Sequence, residues 1–267
     1  MKSPGVPCFI YHGLYEKPSE LAGVPAPEMR YYLSAAQFEH QLDRLAEHGL
    51  RACSVADYLS APDSPQEKRV ILTFDDGHIS NYTLARPMLQ ARGFRATFFI
   101  VANWIGQPDR MNRDQLNELV RSGMSVGSHG LTHARLSSIS SQELDTELTR
   151  SKQLLEQMLG VEVRQLALPG GFSSTPVIER SKRAGYECIC TSAPGWSRPG
   201  LLMNRLSVTS LTDLDTFSAL ANRSTSQMLK RQVAYGTIQA VKNVIGVNAY
   251  ERVWKLFGSA PKARMNA

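Results

Sequence analysis

The sequence predicts an α/β fold, with parallel strands forming a sheet or barrel and helices outside it. Three observations carry this. Short apolar runs alternate with helical patterns about seven times, as in a chain of βαβ units. The helical stretches close on glycine, at Gly49, Gly93, Gly123 and Gly160, the residue that tolerates the left-handed end of a helix. The polar residues with chemical potential follow directly after apolar runs, where α/β barrels carry their sites. At 267 residues, 42% hydrophobic and 20% charged, the chain can bury a substantial core as one large domain.

The elements follow in order. Residues 6–11 read as a strand, and 16–32 as a proline-rich loop. Ser34 caps a helix over 35–48, with Phe38, Leu42, Leu45 and Ala46 on one face. Residues 70–74 form a strand, 82–92 a helix, and 96–101 (ATFFIV) a buried strand. A helix over 113–122 leads to a short strand at 124–127. A long helix spans 141–159, with Leu148, Leu155 and Leu159 recurring on one face. A strand at 163–168, a helix at 175–184 and strands at 187–191 and 206–208 complete the alternation. From Asp213 onward the pattern is helical only, with stretches over 226–247 and 251–257. The organisation expected is a catalytic barrel over 1–212, helices packed on it over 213–258, and a disordered tail over 259–267.

The net charge of +6 comes from basic residues scattered along the chain. No dense basic run exists, so nucleic acid is not an expected partner. Four cysteines, Cys8, Cys53, Cys188 and Cys190, lack zinc-knuckle spacing and read as small buried residues. No apolar leader and no window of transmembrane length appear. The expected location is cytoplasmic, with peripheral membrane contact through the basic helix after 226 as the variant reading. Oligomeric state is left open.

Asp75 and Asp76 stand side by side behind the apolar run VILTF. Two like charges at the end of a buried strand are costly, and something must offset that cost. His129 and His133, in SHGLTH, follow another short strand. Four residues apart, they can meet at one ion if the backbone turns helically there. Two imidazoles and one carboxylate leave coordination positions open for water and substrate. A divalent ion resolves the acid pair: one carboxylate binds it and the other takes a proton from the activated water. His40 and His48 lie on the first helix and read as surface residues.

TFDDG at 73–77, SHGLTH at 128–133 and ALPGG at 167–171 resemble successive motifs of the polysaccharide deacetylases, also called the NodB-homology domain or carbohydrate esterase family four. The resemblance covers roughly residues 6–208. It implies a distorted (β/α) barrel of about seven parallel strands with a C-terminal helical extension. It also implies metal-dependent hydrolysis of N-acetyl groups on an N-acetylated sugar, in a polysaccharide or its precursor, with a metal-bound water as nucleophile. By resemblance Asp75 is the catalytic base. Asp76, His129 and His133 hold one divalent ion, Zn²⁺ first, with Co²⁺, Ni²⁺ or Mn²⁺ as alternatives. Gly170, after Pro169, supplies an oxyanion donor.

Three departures from the family pattern stand out. Where better-known members carry an arginine that pairs with the catalytic aspartate, this chain has Ala167. No motif-four aspartate appears in CTSAPGW, although Trp196 offers an apolar wall. The fifth motif reads LLMNRLSV, with Arg205 in place of a histidine acid. Arg205 is therefore expected on the substrate side. His12 is the candidate acid, and His78 is expected to line the site. Two other readings stay open: an impaired metal-binding carbohydrate-recognition protein, and a relative that hydrolyses a non-sugar amide.

Overall fold

The structure is a computed structural model that describes residues 5–62 and 68–245. Strand β1 (Cys8–Tyr11) opens it. A small parallel pair, β2 (Leu14–Tyr15) and β3 (Leu33–Ser34), brackets a 3₁₀ turn at Pro18–Leu21 and the short helix α1 (Ala26–Met29). Then come α2 (Ala35–Glu47), β4 (Arg51–Cys53), α3 (Val55–Ser60) and β5 (Arg69–Phe74). A π-helical turn over Asn81–Ala85 leads into α4 (Arg86–Ala91), followed by β6 (Thr97–Ile100), α5 (Arg113–Arg121) and β7 (Ser125–Ser128). The remainder is α6 (Ser141–Leu159), β8 (Gln165–Ala167), α7 (Thr175–Arg183), β9 (Cys188–Cys190), β10 (Leu202–Met203), β11 (Leu206–Ser207), α8 (Leu214–Ala221) and α9 (Thr225–Ile245).

Nine strands make one parallel sheet in the order β10-β9-β8-β7-β6-β5-β1-β11, with β4 on the first half of β5. The two ends of that path, β10 and β11, are separated by only Asn204 and Arg205. The sheet must therefore curl until its ends meet, which is the distorted barrel expected from the sequence. Strand β4 and helix α3 are the main elements not read from the sequence. A three-residue strand carries too little periodicity to stand out.

Helix starts follow local chemistry. Ser34, Asn112 and Ser140 each cap a helix whose third residue (Gln37, Gln115, Glu143) bonds back to the cap. On α2, Phe38, Leu42 and Leu45 are buried as expected, joined by Gln41, which accepts the Tyr11 hydroxyl at 2.8 Å. Ala46 is exposed instead.

Period-two alternation sorts the strands into two cores. Val70, Leu72 and Phe74 of β5 join the large core under the helices, while Ile71 faces the barrel interior with Cys8, Phe99, Ala167 and Cys190. All four cysteines are reduced and belong to this interior. Phe74 stacks on Phe98 at 4.9 Å and on Tyr11 at 5.3 Å. Such pairs add about 0.5–1.5 kcal/mol each beyond area burial, and they tie β1, β5 and β6 together just before the acid pair.

Helix α9 meets the barrel through Arg231 on the Ser207 carbonyl, Gln232 on the Pro194 carbonyl, and Lys242 over the Phe172 ring at 4.7 Å. Among the described residues no helix is long and apolar enough to cross a membrane. The expected helix at 251–257 and tail at 259–267 lie outside the described residues.

Candidate active site

The β5 ladder extends one residue past the strand, since the Asp75 amide donates to the Tyr11 carbonyl at 2.9 Å. Asp75 continues the inward series of Ile71 and Thr73 and is buried. By alternation Asp76 would point away from it. Instead Asp76 takes a left-handed conformation (φ 73°), followed by Gly77 (φ 69°), and both carboxylates enter one cleft. A left-handed backbone costs a non-glycine residue about 1–2 kcal/mol, a cost typical of functional positions. At Gly77 a side chain would also meet Ile100 Cδ1 at 3.1 Å.

His129 follows β7, with its amide on the Ile100 carbonyl at 2.8 Å. Its Nδ1 lies 2.9 Å from the Ala167 carbonyl. A carbonyl only accepts, so Nδ1 carries the proton and Nε2 presents a lone pair to the cleft. The backbone between the histidines is a loop, not the helical turn expected from their spacing. Gly130 (φ 81°) and a left-handed His133 (φ 66°) bend it back. Buried Glu147 of α6 braces that loop: its carboxylate accepts the amides of Leu131 (2.8 Å) and Thr132 (3.1 Å) and the Thr132 hydroxyl.

Asp76 Oδ1 lies 3.3 Å from His133 Nε2 and 3.5 Å from His129 Nε2. Tetrahedral ligands at zinc bond lengths sit about 3.3–3.4 Å apart, so this spacing fits a small divalent ion. Oδ1 is buried without a well-formed hydrogen bond, and the three ligand atoms lie within 4.8 Å of one another. Burial pushes the Asp76 carboxyl up, but the contact with His133 and the imidazoles of His12 and His129 outweigh it and hold it well below the usual carboxylate range.

Asp75 has a different environment. The Arg205 guanidinium donates to both of its oxygens, Nη1 to Oδ1 at 2.7 Å and Nη2 to Oδ2 at 2.9 Å. Arg205 also donates to the Thr73 hydroxyl and the Thr191 carbonyl, both at 3.1 Å, and rests 5.2 Å from the Phe99 ring. Burial pushes Asp75 up as well, and the Arg205 charge, with His129 adding to it, brings it below its ordinary value. Arg205 is 0% exposed. Its expected place on the substrate side is therefore corrected: it lies beneath the base, in the interior left open by small side chains such as Cys8, Ala167 and Cys190. Ala167 itself gives its carbonyl to His129, and the guanidinium facing Asp75 arrives from the β10–β11 connection instead.

The cleft above holds about 400 Å³. Asp75, Asp76, His129, His133, His12, His78 and Gly170 all line it. Pro169 is buried behind Gly170 and is not part of the lining. Trp196 is also corrected: it packs, partly buried, against the large core and does not line the cleft. His12 rests on the Tyr31 ring at 4.8 Å, and its Nδ1 is buried without a partner. The 16–32 segment contributes Glu28, Tyr31 and Tyr32 to the wall, and the 102–112 loop contributes Trp104 and Arg110.

Glu147 and Arg110 were missed in the sequence. Glu147 carried a signal, being the acidic member of an inward series with Leu144, Leu148 and Leu155. Arg110 stands in a loop without periodicity and carried none.

Comparison with known proteins gives consistent similarities. The model of the polysaccharide deacetylase family matches residues 63–189. A peptidoglycan-N-acetylglucosamine deacetylase of Bacillus cereus is 28% identical over 140 residues, 51% of this chain and 63% of that protein. The chain thus spans less than two thirds of that relative's length. A solved polysaccharide deacetylase of Bacillus cereus superposes with a TM-score of 0.70 at 26% identity, covering 80% of this chain and 68% of that one. IcaB from Ammonifex degensii superposes with a TM-score of 0.70 at 26% identity, covering 83% and 97%.

Proposed function

Since residues 63–189 are of the polysaccharide deacetylase family, we infer that the chain is a divalent-metal-dependent hydrolase removing N-acetyl groups from an N-acetylated sugar of a polysaccharide or its precursor. The observation that supports this most is the division between two adjacent acids. Asp76 Oδ1 faces two imidazole nitrogens, while both Asp75 oxygens are engaged by Arg205.

Asp76, His129 and His133 would hold the ion, and their donor set favours Zn²⁺, with Co²⁺, Ni²⁺ or Mn²⁺ also accommodated. Asp75 is ionised at neutral pH and can accept a proton, but a carboxylate held below its ordinary value is a weak base. It therefore needs a nucleophilic water of raised acidity, and a divalent ion supplies that acidity and polarises the acetamide carbonyl. Gly170 lines the cleft, and its amide is assigned here to the developing oxyanion. His12, which lines the cleft beside the acid pair, is assigned here to protonate the leaving amine. Tyr31, Tyr32 and Trp104 give the cleft an aromatic wall suited to a sugar.

Acetate release from N-acetylated oligosaccharides, with added ion and after chelation, tests the reading. Acetate is expected only with the ion, at one ion per chain. Asp76→Ala is expected to lose the ion and about three orders of magnitude of activity. Full activity of Asp76→Ala, with no ion found in the wild type, would refute it.

A further inference from the structure

We infer that Arg110 forms an anion-recognising subsite beside the reaction centre, so that the sugar taken carries a carboxylate or phosphate close to its acetamido group. The inference rests on the deacetylase reading and narrows its substrate.

Arg110 is held firmly where it stands. Its backbone forms an antiparallel bridge with His78, and the neighbouring Met111 amide donates to the Gly77 carbonyl at 3.0 Å. The loop is thus clamped to the turn that carries the acid pair. The guanidinium lies over the Trp104 ring at 4.4 Å, and Nη1 approaches the Asp76 carbonyl at 3.4 Å. Stacking fixes the plane of the fork while leaving most of its donors unused.

Among the described residues no carboxylate lies within ion-pair distance of this guanidinium. Arg86, Arg92, Arg180 and Arg205 pair with Glu118, Asp43, Asp145 and Asp75, and Arg69 and Arg231 spend their donors on carbonyls and a hydroxyl, whereas Arg110 makes one long contact to a carbonyl. Glu28, on the same wall, is exposed and does not pair with Arg110. A half-buried guanidinium with open donors is stabilised by an anion that accepts them. Asp75 is engaged by Arg205, which leaves Asp76 and the exposed Glu28 as the acids on this side. A neutral sugar leaves the open donors of the fork to water, whereas a carboxylate or phosphate accepts them in bidentate fashion. Trp104 and Tyr32, which also line the cleft, give the sugar ring a surface from which such a substituent reaches Arg110.

Calorimetric binding to the metal-loaded chain tests this without relying on turnover. The probes are N-acetylmuramic acid (a carboxylate), N-acetylglucosamine 1-phosphate (a phosphate) and neutral N-acetylglucosamine. The wild type is expected to bind at least one anionic probe about tenfold to a hundredfold more tightly than the neutral one, and the preferred probe identifies the anion. Arg110→Gln is expected to abolish the preference, and Arg110→Lys to keep part of it. Equal affinities in the wild type, or a preference that survives Arg110→Gln, would overturn the inference. Acetate release measured in parallel separates the two readings. An anion preference without release from any probe or oligosaccharide would sink the deacetylase reading alone. Release without an anion preference would sink the subsite alone.

Discussion

At the floor of the cleft the base, His129 and the loop of His133 are each fixed by directed bonds. Asp75 takes two from Arg205, His129 gives one to Ala167, and the loop carrying His133 hangs on Glu147. On the wall, His12 rests on Tyr31 and Arg110 on Trp104, and ring contacts do most of the holding. Directed bonds in a buried, low-dielectric setting are strong and fix geometry. Ring contacts fix the plane of a side chain but tolerate sliding within it. The floor is thus suited to one reaction and the wall to the choice of sugar, so substitutions on the floor should strike chemistry and ion binding while those on the wall shift substrate use.

The largest effect that would test this contrast comes from Arg205→Met. It leaves Asp75 buried and unpaired, so folding stability should fall by about 3–5 kcal/mol and acetate release by about a hundredfold through misplacement of the base. Denaturant unfolding of Arg205→Met against the double variant Arg205→Met/Asp75→Leu checks the cause. The double variant should regain much of the stability and none of the activity. If the single variant were as stable as wild type, the floor would not be held by this pair.

Glu147→Gln should have a smaller effect. An amide keeps one acceptor but turns its NH₂ toward donors of the 131–132 backbone, loosening the loop. Ion affinity in a metal titration should drop about tenfold to a hundredfold, with the fold intact by circular dichroism. Unchanged affinity would mean the loop holds itself. The smallest effect is expected on the wall, from Tyr31→Ala. Loss of one ring contact under His12 should lower kcat/KM about threefold to tenfold with ion content unchanged. A change in ion content would erase the distinction between wall and floor.

Much of the fold was legible in the sequence because long periodic helices and apolar strands announce themselves. The bounds of α6, 141–159, match those read from its leucine spacing. The acids and histidines were legible as candidates because charge directly behind a buried strand is anomalous. Their meeting at one point follows from pairing them and is found, but by another route than a helical turn: left-handed backbone at Asp76 and His133, which no residue preference reveals. Arg205 was noticed but assigned to the wrong side. Its partner lies 130 residues away, and only the curling of the sheet that brings β10 and β11 together places it under β5.

The most direct test of the account is the rate of acetate release by Asp75→Asn, measured together with its ion content. Asparagine preserves the shape but cannot take the proton. The rate should fall about 10²–10⁴-fold while one ion per chain remains bound. An Asp75→Asn protein that keeps its ion and the wild-type rate would contradict the assignment of Asp75 as the base.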